Sequence, residues 1–499
     1  MKYSSSRGGY SSISAAEAIK MGIAPDGGLF VPDSIPVIPE QTWRKMAGQT
    51  YQARAYEILS LYLEDFSSEE IKKCVDGAYN SRSFDDERIA PLVPIGAGVY
   101  IQELWHGPTC AFKDMALQLL PHLMTASAKK TGEKDEIIIL VATSGDTGKA
   151  ALEGFKDVAG VKIIVFYPQD GVSEVQKRQM ITQTGDNVFV AAVEGNFDDA
   201  QNGVKQIFAD NAFVETLANN GMKMSSANSI NWGRLLPQIV YYVSAYVDLQ
   251  AAGQVKQGEA VNVVVPTGNF GNILAAYYAA QMGVPINRLI CASNANNVLT
   301  EFIQSGVYDR NRNFAKTLSP SMDILISSNL ERLLYEITGH DAALVSGWME
   351  ELKTQGKYEV SQSVANKISE LFWADFSSDE ETQATIRNIW EAKGYLLDTH
   401  TAVAYNVYEK YVNSSSDKTT TIIASTASPF KFGKSVAESI LKPEQLAGQD
   451  EFAILKTLAD YTGISIPAGI KDLDLRTVLY KTVSSKEAMG KTVLEYLNL

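Results

Sequence analysis

One lysine stands where its neighbours would make it reactive. The segment His106-Gly107-Pro108-Thr109-Cys110-Ala111-Phe112-Lys113-Asp114 runs from a Gly-Pro turn into small and apolar residues, and a helical stretch follows from Met115 to Met124. Lys113 therefore falls near the first turn of a helix in mostly apolar surroundings. A desolvated lysine loses its charge more readily and becomes a competent amine nucleophile. That suits covalent attachment of an aldehyde cofactor such as pyridoxal phosphate (PLP). Taken alone, Lys113 reads better as a solvated lysine at a helix start, because most lysines are solvated.

Four further segments supply what such a lysine needs. Ala142-Thr143-Ser144-Gly145-Asp146-Thr147-Gly148-Lys149 lies between an apolar strand and a helix. It presents backbone N–H groups and hydroxyls at a helix N-terminus, where anions bind. Pro266-Thr267-Gly268-Asn269-Phe270-Gly271-Asn272 has the same placement, many donors and no acid, which suits a phosphate. Ser425-Thr426-Ala427-Ser428-Pro429-Phe430-Lys431-Phe432 follows a strand, and Thr426 sits where open α/β sheets bind ligands. Ser225 to Arg234 is rich in short polar side chains and ends in an arginine fork for phosphate or carboxylate. Each has a plainer alternative: a capped turn, a tight strand–helix turn, a turn stopped by Pro429, or a surface arginine paired with an acid. Gly490-Lys491-Thr492 is no P-loop, because position 485 is serine, and Gly-x-Gly-x-x-Gly is absent.

Strands and helices alternate around these loops. Apolar runs at Ile137–Val141, Val161–Phe166, Val188–Val193, Ala260–Val265, Leu289–Ala292 and Thr420–Ala424 predict strands buried on both faces, with helices between them. This predicts an α/β fold of two open, mostly parallel sheets with flanking helices and right-handed crossovers. Residues 1–92 read as a mainly helical N-terminal domain. Residues 93–435 read as a catalytic region of two α/β subdomains, with a helical insertion around 311–390. Residues 436–499 read as a C-terminal helical segment. The buried helix Ile239–Val247 is too short to span a membrane, and the opening MKYSSSRGGYSS has no apolar signal core. A net charge of −14 argues against nucleic-acid or anionic-membrane surfaces. Three cysteines form no disulfide framework, which favours a reducing, cytoplasmic setting. The four scattered histidines have no metal-ligand spacing, so no metal is expected.

Together the segments HGPTCAFKD, ATSGDTG, PTGNFGN, NSINWGR and STASPFKF resemble, in order, those of the long threonine synthases, a family of fold-type II PLP enzymes. YSSSRGG and GIAPDGGLFVP are similar to that family's N-terminal domain, and the likeness runs from about Tyr3 to about Ser435. The resemblance implies a tryptophan synthase β-like fold and PLP as cofactor. It implies conversion of O-phospho-L-homoserine and water to L-threonine and phosphate, by γ-elimination and β-addition, in threonine biosynthesis. Lys113 matches the lysine that carries PLP and then moves protons. Gly268, Asn269, Phe270, Gly271 and Asn272 match the cofactor-phosphate loop, and Thr426 matches the hydroxyl facing the pyridine nitrogen. Thr143, Ser144, Gly145, Asp146, Thr147 and Gly148 match the loop gripping the substrate carboxylate. Asn231 and Arg234 are assigned to the substrate phosphate, apart from the cofactor-phosphate loop.

One departure is visible: the family often has histidine where this chain has Ser428. The rivals are a threonine synthase-like phospho-lyase releasing 2-oxobutyrate, a serine or threonine dehydratase, and a non-catalytic phosphometabolite-binding protein. The expected partner is a small-molecule substrate, with no nucleic acid and no membrane, acting on a monomer or weak homodimer.

Overall fold

A computed structural model describes residues 1–96, 98–169 and 172–499 of the 499-residue chain. The N-terminal region pairs β1 (Tyr3–Ser5) antiparallel with β2 (Phe30–Pro32) and surrounds them with short helices. Two of those helices, Ala15–Met21 and Ser68–Ala78, begin with reciprocal capping boxes, Ser14 with Glu17 and Ser67 with Glu70. Each satisfies orphan amides at the helix start.

Beyond this region the chain builds two main sheets in an interleaved order, beside a separate antiparallel pair of short strands. First come β3 (Leu92–Gly96) and β4 (Val99–Glu103), then β5 (Glu136–Ala142), β6 (Val161–Pro168), β7 (Val188–Val193) and β8 (Met222–Ser225). β9 (Val261–Pro266) and β10 (Ile286–Ser293) follow. The remaining strands are β11 (Val307–Asp309), β12 (Lys357–Glu359), β13 (Phe372–Phe376), β14 (Thr421–Ser425) and β15 (Val483–Ser484). The larger sheet has the order β13-β10-β9-β14-β4-β3, the smaller β15-β7-β6-β5-β8. All neighbours in both are parallel except the β3–β4 pair. The apolar runs at 137–141, 161–166, 188–193, 260–265, 289–292 and 420–424 each form a strand, because parallel strands covered on both faces need side chains that bury in both directions.

The strands with weak apolar runs differ from expectation. β3 contains Pro94 and lies at a sheet edge, where a missing N–H costs no ladder bond. The 311–390 stretch is helical as expected, yet it also contributes β13, an edge of the larger sheet. The 436–499 segment is not purely helical: β15 adds a parallel edge to β7, pairing Val483 with Ala192. The helix Trp232–Ala251 runs between the N-terminal region and the catalytic region with nearly every side chain buried. Its first residue, Trp232, lies 5.6 Å from the rings of Tyr3 and Tyr62 and 5.5 Å from that of Tyr278. Those aromatic contacts fix where this helix begins. Among the described residues no helix is long and apolar enough to cross a membrane.

Candidate active site

Lys113 opens the helix Lys113–Leu117, and the residues before it are stitched to the strand end that carries Thr426. Phe112 N–H donates to the Thr426 carbonyl at 2.8 Å, Ser428 N–H donates to the Cys110 carbonyl at 3.0 Å, and Ala111 bridges Ala427. Asp114 closes the turn below, accepting from Thr109 N–H at 2.8 Å and from the Thr109 hydroxyl at 2.7 Å. Gly107 is needed there, since a Cβ would come within 2.4–2.8 Å of the Asp114 side chain. The half-buried Lys113 side chain brings its amine 3.3 Å from Asp146 Oδ2. Burial pushes the amine below the ordinary lysine value, Asp146 pulls it back, and the cations Lys431 and Arg234 push it down again.

A cavity of ≈ 70 Å³ brings Lys113, Thr426, Arg234 and the Gly268–Asn272 loop together. The loop precedes the helix Gly271–Gln281, whose first amides have no acceptor within the helix and no side-chain cap at Phe270. Phe270 holds a left-handed φ of +65°, an uncommon conformation for a residue with a side chain. Orphaned donors cluster at this loop. Asn272 Oδ1 accepts from the Tyr241 and Tyr242 hydroxyls, and its Nδ2 is buried without a partner among the described residues. Asn329 Nδ2, which a Cβ on Gly271 would meet at 3.3 Å, and Arg234 Nε are likewise buried and unpaired. Buried donors without partners are costly. Here they suit an anion with several acceptor oxygens, and with the loosely held amine of Lys113 they fit a phosphorylated aldehyde cofactor.

The 142–149 loop divides its labour. The Thr143 hydroxyl accepts from Gly145 N–H at 3.0 Å and Gly148 N–H at 2.8 Å, which shapes the turn. Gly145 has φ +133°, and a Cβ there would meet the Gln176 amide at 2.4 Å. The Asp146 side chain does not face outward to grip a carboxylate, which would repel it. It accepts from Ser321 Oγ and Gln176 Nε2, both at 2.8 Å, and lies 3.4 Å from Lys431. Burial alone would raise its carboxyl; Lys113 and Lys431 overcome this and hold it well below the usual range. What remains for an incoming carboxylate is backbone: the helix Asp146–Phe155 starts here with no side-chain cap. Ser144 and Thr147 line a second cavity of ≈ 370 Å³ that shares Lys113, Asn269 and Ser321 with the first.

Arg234 and Asn231 part company. Asn231 is the N-cap of the Trp232–Ala251 helix, and its amide is fully used: Nδ2 donates to the Ile19 and Ser226 carbonyls, while Oδ1 accepts from Gly233 N–H. It lines neither cavity, so its expected contact with a substrate phosphate is replaced by a structural one. Arg234 does reach the cavity, one guanidinium nitrogen donating to the Ala227 carbonyl at 2.6 Å. Burial pushes its guanidinium down to about 10. It lines the same cavity as the glycine loop.

Several wall residues carry no signal in the sequence. Ser321 and Met322 come from the 311–390 stretch, and the same stretch pins the glycine loop through Asn329 N–H to the Asn269 carbonyl at 3.1 Å. His400 Nε2 accepts from Ser321 N–H at 3.2 Å, with Asp398 Oδ1 3.2 Å from Nδ1. Only spacing along a helix cap marks His400 in the sequence, and Lys431 is a lone basic residue in an apolar run. Ser428, where the family often has histidine, caps the turn Pro429–Phe432 through Phe430 N–H at 3.4 Å.

Comparison with known proteins gives three family matches. Residues 2–79 match the threonine synthase N terminus, 85–348 the pyridoxal-phosphate dependent enzymes, and 401–460 the threonine synthase C-terminal family. The threonine synthase-like 1 protein of Homo sapiens is 42% identical, covering 85% of this chain and 58% of that protein. The chain thus spans little more than half the length of that relative. The threonine synthase of Saccharomyces cerevisiae is 40% identical, covering 86% of this chain and 87% of its own. The crystal structure of PLP-bound threonine synthase from Brucella melitensis superposes with a TM-score of 0.87 at 37% identity, over 99% of each chain. With Lys113, the glycine loop and Thr426 gathered at one cavity, the chain belongs to the threonine synthase family of pyridoxal-phosphate-dependent enzymes.

Proposed function

We propose that this chain is itself a threonine synthase, a carbon–oxygen lyase converting O-phospho-L-homoserine and water to L-threonine and phosphate. The observation that carries the reading is the single cavity joining a reactive lysine, an anion loop and a strand-end hydroxyl. In this reading Lys113 carries PLP, the amides of residues 268–272 and the Arg234 cation hold its phosphate, and Thr426 meets its ring nitrogen. PLP bound there supplies an electron sink for carbanion chemistry.

The chain's own residues do the rest. Lys113, once free, is placed to take the proton from the substrate's α-carbon as a general base. Asp146 receives none of the substrate; its charge steadies the Lys113 ammonium that results. Free amides at the start of the Asp146–Phe155 helix, with Ser144 and Thr147, orient the substrate carboxylate. The ≈ 370 Å³ cavity leaves room for the phosphorylated side chain, and Ser321 closes the wall opposite Lys113.

Product analysis tests the reading. Incubation with O-phosphohomoserine is expected to yield threonine and phosphate in equal amounts. 2-Oxobutyrate with ammonia would mean that the intermediate escapes before water adds, as in a phospho-lyase. No product would leave a binding protein. We place the enzyme in the cytoplasm, as a monomer or weak homodimer; its three cysteines are buried and free, which supports a reducing compartment.

A further inference from the structure

The site leaves one buried lysine without a task. Lys431 is fully buried in the short turn Pro429–Phe432, a few residues beyond Thr426. Its Nζ donates to the Thr109 carbonyl at 2.8 Å and to Gln179 Oε1 at 2.6 Å, and lies 3.4 Å from Asp146 Oδ1. Two of the ammonium's three donors thus go to neutral acceptors, and its contact with Asp146 is an ion pair. Lys113 is held differently. Its hydrogen-bond partner is Asp146 Oδ2 at 3.3 Å, longer than the roughly 2.7–2.9 Å of a strong charge-assisted bond. That oxygen already accepts from Ser321 Oγ, and the other from Gln176 Nε2. One buried carboxylate thus serves two lysines and two neutral donors.

Two cations around one buried anion is an unfavourable arrangement for stability. It makes sense if one of the two must be loosely held. A one-to-one pair of Lys113 with Asp146 would keep the amine charged and therefore poor as a nucleophile. We infer that Lys431 is a positioning residue for the reactive amine: its fixed charge beside the far oxygen of Asp146 weakens the carboxylate's pull on the Lys113 proton. The inference rests on the reading of Lys113 as the reactive lysine. Other titratable groups around Lys113 are Arg234 from the Trp232–Ala251 helix, His400 from the Thr399–Ser415 helix, and Asp323 and Lys205 at the wider cavity. Asp114, on Lys113's own helix, is turned to Thr109. Lys431 is the cation that shares Asp146 with Lys113.

The test reads Lys113 directly. The full-length chain, stripped of cofactor, is labelled with limiting acetic anhydride at a series of pH values, and acetylation of Lys113 is quantified by mass spectrometry. Lys431→Met removes a repelling cation and returns Asp146 to Lys113, so the labelling profile moves to higher pH. A displacement of about one pH unit lowers Lys113 labelling near neutral pH about tenfold. Lys431→Gln, which keeps a donor for the Thr109 carbonyl and is the gentler change, gives the same direction. Lys431→Arg keeps the charge and the profile near wild type. A merely structural Lys431 would alter thermal stability and leave the Lys113 profile in place. A folded Met or Gln variant with the wild-type profile overturns the inference. Borohydride reduction of the wild-type holoenzyme is the separate control: a label on another lysine sinks the reading of Lys113 as the cofactor lysine, whatever the profiles show.

Discussion

The Ser327 hydroxyl donates to the Gly268 carbonyl at 2.6 Å, tying the first glycine of the anion loop to a segment 59 residues downstream. Asn329 N–H makes the neighbouring tie to Asn269. The loop's amides therefore keep their direction through ties to a segment far away in sequence. Ser327→Ala removes one neutral hydrogen bond, worth about 0.5–1.5 kcal/mol. PLP affinity, measured by fluorescence titration of the stripped protein, is expected to fall about two- to tenfold, with circular dichroism unchanged. Unaltered affinity would show that the loop holds its shape without this tie.

Lys113 is expected to carry the cofactor covalently. Reduction of the holoenzyme with borohydride, digestion and mass spectrometry should place the pyridoxyl group on the Lys113 peptide. Lys113→Ala should fold, bind PLP without a covalent link, and lose turnover. A pyridoxyl group mapped to Lys149 or Lys431, both also buried, would move the chemistry to that residue.

Arg234→Ala should cost the anion at the glycine loop a charge-assisted partner, worth about 1.5–3 kcal/mol. That corresponds to about a ten- to hundredfold loss of PLP affinity. Measured beside inhibition by inorganic phosphate, the result separates two sites. Loss of PLP with phosphate inhibition intact agrees with the shared cavity. Full PLP content with weakened inhibition would return Arg234 to a substrate-phosphate subsite.

Asp114 predicts a pH dependence of stability. Burial pushes its carboxyl up from 3.8 to about 6, against the downward pull of its two hydrogen bonds from Thr109. The folded chain holds this proton more tightly than the unfolded chain, so folding gains from it at low pH. That contribution is fully present below about pH 4 and is lost as pH rises through about 6. The difference amounts to about 3 kcal/mol. Urea unfolding across this window should show Asp114→Asn removing that part of the slope. A slope equal to wild type would assign it to other groups.

The loops that meet at the cavity are legible in the sequence because each adjoins a buried apolar strand, and that junction fixes where the loop lies. Lys113, Thr426 and the 266–272 loop converge because β4, β14 and β9 lie side by side in the larger sheet. Their walls were not legible. Ser321, His400 and Lys431 come from a short helical turn, a helix cap and an apolar run whose local patterns match many ordinary turns. For Asp146 the motif places the residue without saying which way its side chain turns: the carboxylate faces Lys113, Lys431, Ser321 and Gln176, and the loop's backbone is what is left for a substrate carboxylate. Asn231 was misassigned for the opposite reason: a polar residue before a helix reads as a ligand group, and here it is the cap.

The interleaving of the strands also bears on how the chain is made. β15 pairs with β7, Val483 beside Ala192, and β14 pairs with β4, Thr421 beside Val99. Neither sheet is a continuous stretch of sequence, so neither can be completed while its later strand is still being translated. At roughly 5–20 residues per second, the ribosome needs roughly 15–60 s to travel from residue 192 to residue 483. Throughout that interval β7 carries an unpaired edge, and for most of it, until residues 421–425 are made, β4 awaits its central neighbour. Both are exposed β templates on a nascent polypeptide. The edge strand donated by residues 483–484 thus keeps the smaller sheet incomplete long after its other strands have been made.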